Sequence, residues 1–127
     1  MRRATLALLF LLAATVASAQ TLSNPRNVAW DYPPEDHERI TRYELGYYLA
    51  GAVNPYTTVD VAKTSVTAED PDSWRAALPR PAFGQFTARL RAHYTVAGGG
   101  EAVTAWSDPT GPFSLSPPIP AGLRTPQ

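Results

Sequence analysis

Residues 39–49, R-I-T-R-Y-E-L-G-Y-Y-L, constrain the fold more than any other stretch of the chain. Tyr43, Leu45, Tyr47 and Leu49 fall at every second position, with Arg42, Glu44, Gly46 and Tyr48 between them. Strict alternation over this length places one apolar row on one face of a half-buried β-strand. Broad, stiff tyrosine rings suit such a pleated surface. A second run of the same kind covers residues 85–94. Phe86, Ala88, Leu90, Ala92 and Tyr94 share one face, and Gln85, Thr87, Arg89, Arg91 and His93 share the other. Asn27-Val28-Ala29-Trp30 is a short strand ending in a large ring. The core expected from these three runs clasps Trp30 between Tyr43, Leu45 and Tyr47 on one side and Phe86 and Leu90 on the other.

The rest of the chain reads as strand and turn. Residues 32–38 form a polar loop set by Pro33 and Pro34, and β-branched residues resume the strand pattern over 56–61. Residues 63–68 are expected as another short strand anchored by Val66, before the acidic turn Glu69-Asp70-Pro71-Asp72. Trp74, Ala76 and Leu78 alternate again, and Pro79 and Pro81 make a corner. Gly98-Gly99-Gly100 is a hairpin tip, and residues 102–106 and 112–115 supply the last strand material. There is no internal repeat and no helical periodicity after the first segment. Short strands with regularly spaced turn signals predict an all-β sandwich.

Residues 1–19 stand apart. Arg2 and Arg3, the apolar run 6–16 and the small-residue motif Ala17-Ser18-Ala19 have the three-part layout of a secretory signal peptide. The apolar run is shorter than the ~20 residues of a spanning helix, so no membrane span is expected once it is removed. The expected organisation is a signal peptide (1–19), one domain (20–116) and a Pro-rich, disordered tail (117–127) in which only Ile119 and Leu123 are apolar. The product is secreted, to the extracellular space or the periplasm. The chain has no cysteine and a formal net charge of zero. It therefore holds together by packing alone, and losing Arg2 and Arg3 leaves the mature part at −2. That balance excludes general nucleic-acid binding, which needs a basic face, and there is no polybasic run for anionic membranes.

Five stretches in order carry a family resemblance: Pro25 with Trp30-Asp31-Tyr32-Pro33, the 40–47 strand, the Leu78-Pro79 corner, Phe86-Thr87-Ala88-Arg89-Leu90-Arg91-Ala92, and Ala105-Trp106-Ser107-Asp108-Pro109. Together they resemble a fibronectin type III domain over residues 25–115, nearly the whole mature chain. The resemblance implies an immunoglobulin-like sandwich of two antiparallel sheets with roughly seven strands. It also implies that Trp30 is the inter-sheet ring. Three departures stand out. Pro25 and Trp30 almost touch, so the first strand is either short (residues 21–24) or missing, and a missing one would expose a neighbouring edge that the tail, the N-terminus or another chain must cover. Phe86 stands where the family carries a tyrosine whose hydroxyl bonds the backbone. The 78–86 connection is long.

The candidate chemistry is sparse. His37 in a loop and His93 on a strand are expected to face solvent, and no nucleophile motif accompanies them, so no catalytic residues are assigned. The glycine tip lacks the lysine and strand-to-helix setting of a phosphate loop. Glu35, Asp36, Glu38, Glu69, Asp70 and Asp72 offer oxygens but match no calcium loop, and no metal or cofactor is assigned. Arg89, Arg91 and Trp106 form a candidate cation–π ladder, similar to the arginine–tryptophan ladder of cytokine-receptor modules. Candidate binding residues are Asp36, His37 and Gly99, on two loops expected at one end of the domain (31–39 and 96–101), and the outward rings Tyr48 and Tyr56. The functional expectation is a non-catalytic module that recognises a protein or a glycan. The alternative is a structural subunit that self-associates or assembles through an open strand edge.

Overall fold

The computed structural model describes residues 21–126; the expected signal peptide lies outside the described residues. Leu22–Ser23 forms β1 and Asn27–Asp31 forms β2, followed by one helical turn, α1 (Pro34–His37). Then come β3 (Ile40–Tyr48), β4 (Thr57–Ala62), a 3-10 turn (Lys63–Ser65), β5 (Thr67–Asp70) and β6 (Ser73–Ala77). The chain continues through β7 (Gly84–Thr95), β8 (Glu101–Val103) and β9 (Phe113–Leu115). Both helical turns correct the sequence reading. In α1, Pro34 sits in the first turn, where a missing N–H costs nothing, and Glu35 and Asp36 follow it at the favourable end of the turn. At residues 63–65 a tight turn replaces strand, and pairing resumes only at Thr67.

The strands make an all-β sandwich. One sheet runs β1-β9-β7-β3-β4, with β8 also paired to β7, and the other runs β2-β6-β5. The two alternating runs named by the sequence lie side by side as β3 and β7, antiparallel from Arg42↔His93 to Tyr48↔Thr87. Their inward rows meet the small sheet. Tyr43, Leu45, Tyr47 and Ala88 are almost wholly removed from solvent, with Phe86, Ala92, Phe113 and Leu115 around them. Phe86 meets Tyr47 edge-on, ring centroids 5.8 Å apart at 85°. Beside it, the Tyr47 O–H donates to the carbonyl of Pro79.

Two expectations change at the margins of the sandwich. The sheets are not both antiparallel: β1 lies parallel to β9, with Leu22↔Phe113 and Ser23↔Ser114 in register. The short first strand exists, but it joins the large sheet and leaves β2 paired on one side only. Trp30 packs on the core with its ring 4.9 Å from that of Tyr43, yet it is half-buried rather than enclosed. Among the described residues no strand lies beyond β2 to roof it.

The segment between β8 and β9 is not regular strand, and it holds the outer edge of β7 by other means. Thr104, Ser107 and Thr110 donate backbone N–H groups to the carbonyls of Ala92, Leu90 and Ala88 at 3.0, 2.8 and 2.8 Å. Their hydroxyls accept the N–H groups of the same three residues at 3.1, 2.9 and 3.0 Å. Three residues of the segment thus match every two of β7. A full ladder of donors and acceptors is satisfied without strand geometry around Pro109.

Candidate functional site

The free side of β2 is the most distinctive feature of the surface. Leu78 donates to the Arg26 carbonyl, and Tyr32 donates to that of Asp72, both at 2.9 Å. With Asn27↔Ala77 to Asp31↔Ser73 in register between them, antiparallel alternation assigns Arg26, Val28, Trp30 and Tyr32 to β6. The N–H and C=O groups of Asn27, Ala29 and Asp31 therefore point away from the sheet, along its open edge. Those three side chains face outward and are exposed, whereas Val28 and Trp30 point inward and are half-buried.

Beneath this edge runs a groove. A hollow of about 360 Å³ lies at its lower end, among Leu22, Pro25, Val28, Leu78 and Phe113. A second hollow continues it past Leu45, Ala88 and Leu90, and a third ends at Trp30, Tyr43 and Ala92. Neighbouring hollows share residues (Val28 and Ala88, then Trp30 and Leu90), so they form one channel. One wall is β2 and the other is the stitched segment 104–112. The floor is apolar. The Trp30 indole N–H is itself buried, with no hydrogen-bond partner in range.

Comparisons with family models, curated proteins and solved structures found no match. The arrangement of side chains is therefore what speaks to function.

At the upper end, the loops 31–39 and 96–101 come together as the sequence predicts. Tyr32, Asp36 and Arg39 face Tyr94, Val96 and Ala97 across a hollow. Asp36 and Gly99 are exposed. Gly98, Gly99 and Gly100 all have φ near +90°, a conformation open to glycine alone at that tip. His37 is not available to a ligand, which corrects its expected exposure. It is 8% exposed, lies flat on Trp74 with centroids 3.7 Å apart, and its Nδ1 shares a hydrogen bond of 2.7 Å with the Tyr43 hydroxyl. Burial lowers its pKa, with Lys63 adding to the effect. Burial likewise pushes the Tyr43 hydroxyl up to about 12. The cluster acts as a plug that closes the upper core.

The outer face of the large sheet carries the arginine ladder in altered form. The Arg91 guanidinium lies over Trp106 at 4.1 Å, but Arg89 lies over Tyr48 at 5.6 Å, and Tyr48 meets Trp106 edge-on at 6.1 Å. Tyr48 is 5% exposed, so it belongs to this stack and is not the outward contact ring expected of it. Tyr56 is 61% exposed and its ring also packs on Phe86, centroids 6.0 Å apart.

His93 also departs from expectation, being buried at 8% exposure. It packs beside Glu44, which receives Arg91 through both oxygens at 3.0 and 3.2 Å and His93 Nε2 at 2.7 Å. The Arg91 hydrogen bonds, opposed by burial and aided by His93, hold the Glu44 carboxyl at about 2. Arg42 and Glu101 close the network from the other side of the imidazole.

Among the described residues no group of acidic, His or Cys side chains is placed to hold a metal, and no helix is long and apolar enough to cross a membrane. Sequence reasoning expected an open edge only if the first strand were missing; here a short first strand exists but joins the other sheet, and the groove beneath the edge was not foreseen. The Thr104, Ser107, Thr110 spacing of three was visible in the sequence and went unread.

Proposed function

We propose that this protein is an exported, non-catalytic interaction module of fibronectin type III-like architecture that accepts an extended polypeptide strand on the free edge of β2. The strand order, with a β2-β6-β5 sheet facing a sheet centred on β7 and β3, supports the architectural reading. One observation carries the functional reading: three consecutive outward-facing sets of edge donors and acceptors stand above an apolar groove of the same length. Added strands gain affinity from main-chain hydrogen bonds and specificity from side chains seated at alternate positions. Catalysis is not part of the proposal. Both histidines are engaged with protein partners, His37 with Tyr43 and Trp74, His93 with Glu44 and Arg42.

A second reading places recognition of a protein or glycan at the loop end, on the hollow between Asp36, Arg39 and Val96. One experiment separates the two. Peptides selected from a random library on the folded protein are titrated into it by NMR. The edge reading expects alternating apolar sequences that shift the amides of Asn27, Ala29 and Asp31, and an Ala29→Pro variant that no longer binds them. Proline at 29 removes an edge donor without touching the β2–β6 ladder. Shifts confined to residues 31–39 and 96–101 replace the edge reading with the loop reading.

A further inference from the structure

The C-terminal tail of this chain carries the features the β2 edge requires. Ile119 is 90% and Leu123 100% exposed, although both are large aliphatics. Pro117, Pro118 and Pro120 have no N–H, whereas Ile119, Ala121, Leu123 and Thr125 do. Drawn out as a strand, residues 119–125 therefore have one complete edge, formed by the odd-numbered residues, and one edge broken by Pro120. It can pair on one side only, as the outermost strand of a sheet does.

We propose that residues 119–125 of one copy form a strand on the β2 edge of a second copy, parallel to β2. The inference rests on the edge reading above. Parity selects the direction. In parallel pairing, Asn27, Ala29 and Asp31 stand in register with tail residues whose own N–H and C=O groups face away. Those are the even-numbered residues, so the prolines turn outward and Ile119, Ala121 and Leu123 turn into the groove. Antiparallel pairing reverses this and exposes all three. Charge then selects the register. Placing Arg124 opposite Asp31 pairs opposite charges on the outer face, with Gly122 opposite Ala29 and Pro120 opposite Asn27. Ile119 then sits over the lower hollow at Pro25 and Leu78, and Leu123 beside Trp30.

The occupant comes from another copy because the chain cannot turn back on itself. β9 runs toward the start of β7, with Phe113↔Phe86 and Leu115↔Gly84 in register. β2 runs toward the end of β7, where Tyr32 and Tyr94 line one hollow. A tail leaving β9 must reverse direction to lie parallel to its own β2. Ser116 is fixed to Asn24 by two hydrogen bonds of 2.9 Å. Beyond it Ser116, Pro117 and Ile119 each precede a proline, which holds them extended. No room remains for a reversal before Ile119.

The absence of cysteine from the chain makes the register directly testable. Neighbouring strands lie about 4.8 Å apart, within disulfide reach. An equimolar mixture of full-length mature Ala29→Cys and Gly122→Cys chains should give mainly the mixed disulfide under oxidation. Random collision gives only the statistical share. Light scattering from micromolar to millimolar concentration should show the wild-type mass rising at least twofold. The Ile119→Asp/Leu123→Asp variant, altered only at exposed positions, should stay monomeric. A wild-type chain that stays monomeric with no excess of mixed disulfide overturns the inference. If its Asn27, Ala29 and Asp31 amides are still protected from exchange, and that protection is lost in the tail variant, the tail docks within its own chain. If they are unprotected throughout, the tail is not the occupant, and the edge reading stands or falls on the selected peptides and Ala29→Pro.

Discussion

Trp106 lies flat across the sheet because residue 46 has no side chain: a Cβ built on Gly46 would stand 3.0 Å from Cη2 of the indole and 3.3 Å from Cζ3. The glycine interrupts the outward row of β3 between Glu44 and Tyr48, and the indole occupies the gap. Arg91 covers it from above and Tyr48 closes its edge. The segment 104–112 is thereby fastened twice, by its hydroxyl stitching to β7 and by this one ring.

Gly46→Ala is expected to destabilise the domain. The backbone there is ordinary extended strand, so alanine by itself gains up to ~1 kcal/mol of chain stiffness. The clash with a half-buried ring held on two sides outweighs it, since forcing a methyl into a packed contact costs about 1–3 kcal/mol. A urea midpoint that moves down supports this, and one that moves up shows that the indole slides aside freely.

Trp106→Ala removes the cation–π contact, worth about 0.5–1 kcal/mol at an exposed site, and the edge-on pair with Tyr48, worth about 0.5–1.5 kcal/mol. The melting temperature should fall by roughly 5–10 °C for a domain of this size. The amide of Leu90, held by the Ser107 hydroxyl next to the ring, should exchange faster. An unchanged melt would remove the ladder from the account of stability.

Acid should unfold the domain in part through Glu44. Its carboxyl titrates at about 2 in the folded chain, below the ordinary 4.5. The unfolded chain therefore takes up the proton first, and stability rises with pH across that interval. The contribution is complete above pH 4.5 and disappears as pH falls toward 2. Glu44→Gln should be less stable than wild type at neutral pH and should lose less between pH 4.5 and 2. Parallel pH profiles for the two proteins exclude this role.

His37 acts at milder pH. Burial against Trp74 lowers its pKa from 6.5, so the unfolded chain again binds the proton more readily. The contribution is present above pH 6.5 and is lost as pH drops below it. Stability measured from pH 7.5 to 5 should decline in wild type and flatten in His37→Phe, which keeps the stacked ring. Tyr43→Phe, which removes the hydroxyl bonded to Nδ1, should cost about 1 kcal/mol at pH 7.5.

The two long alternating runs were legible because a strand buried on one face must repeat every two residues. Tyr43, Leu45, Tyr47, Phe86 and Ala88 duly meet in the core. The outer face was less legible. Glu44, Tyr48 and His93 are spaced as solvent-facing residues, yet each is buried. The register of β3 against β7 sets Glu44 beside Arg91, His93 beside Arg42 and Gly46 beside Arg89. Polar side chains lying side by side on a sheet can cover one another, and alternation within one strand carries no information about that neighbour.

Local chemistry along the chain was thus enough to specify strands, turns and an all-β sandwich, though not how far Trp30 would be enclosed, because period-two patterns and turn residues act within a few positions of each other. Where the first strand would go was a different matter. Leu22 and Ser23 pair with residues some ninety positions away, and that long-range choice left one side of β2 bare. Pairing between distant segments depends on which edges are free once everything else has packed, and only the assembled molecule settles it.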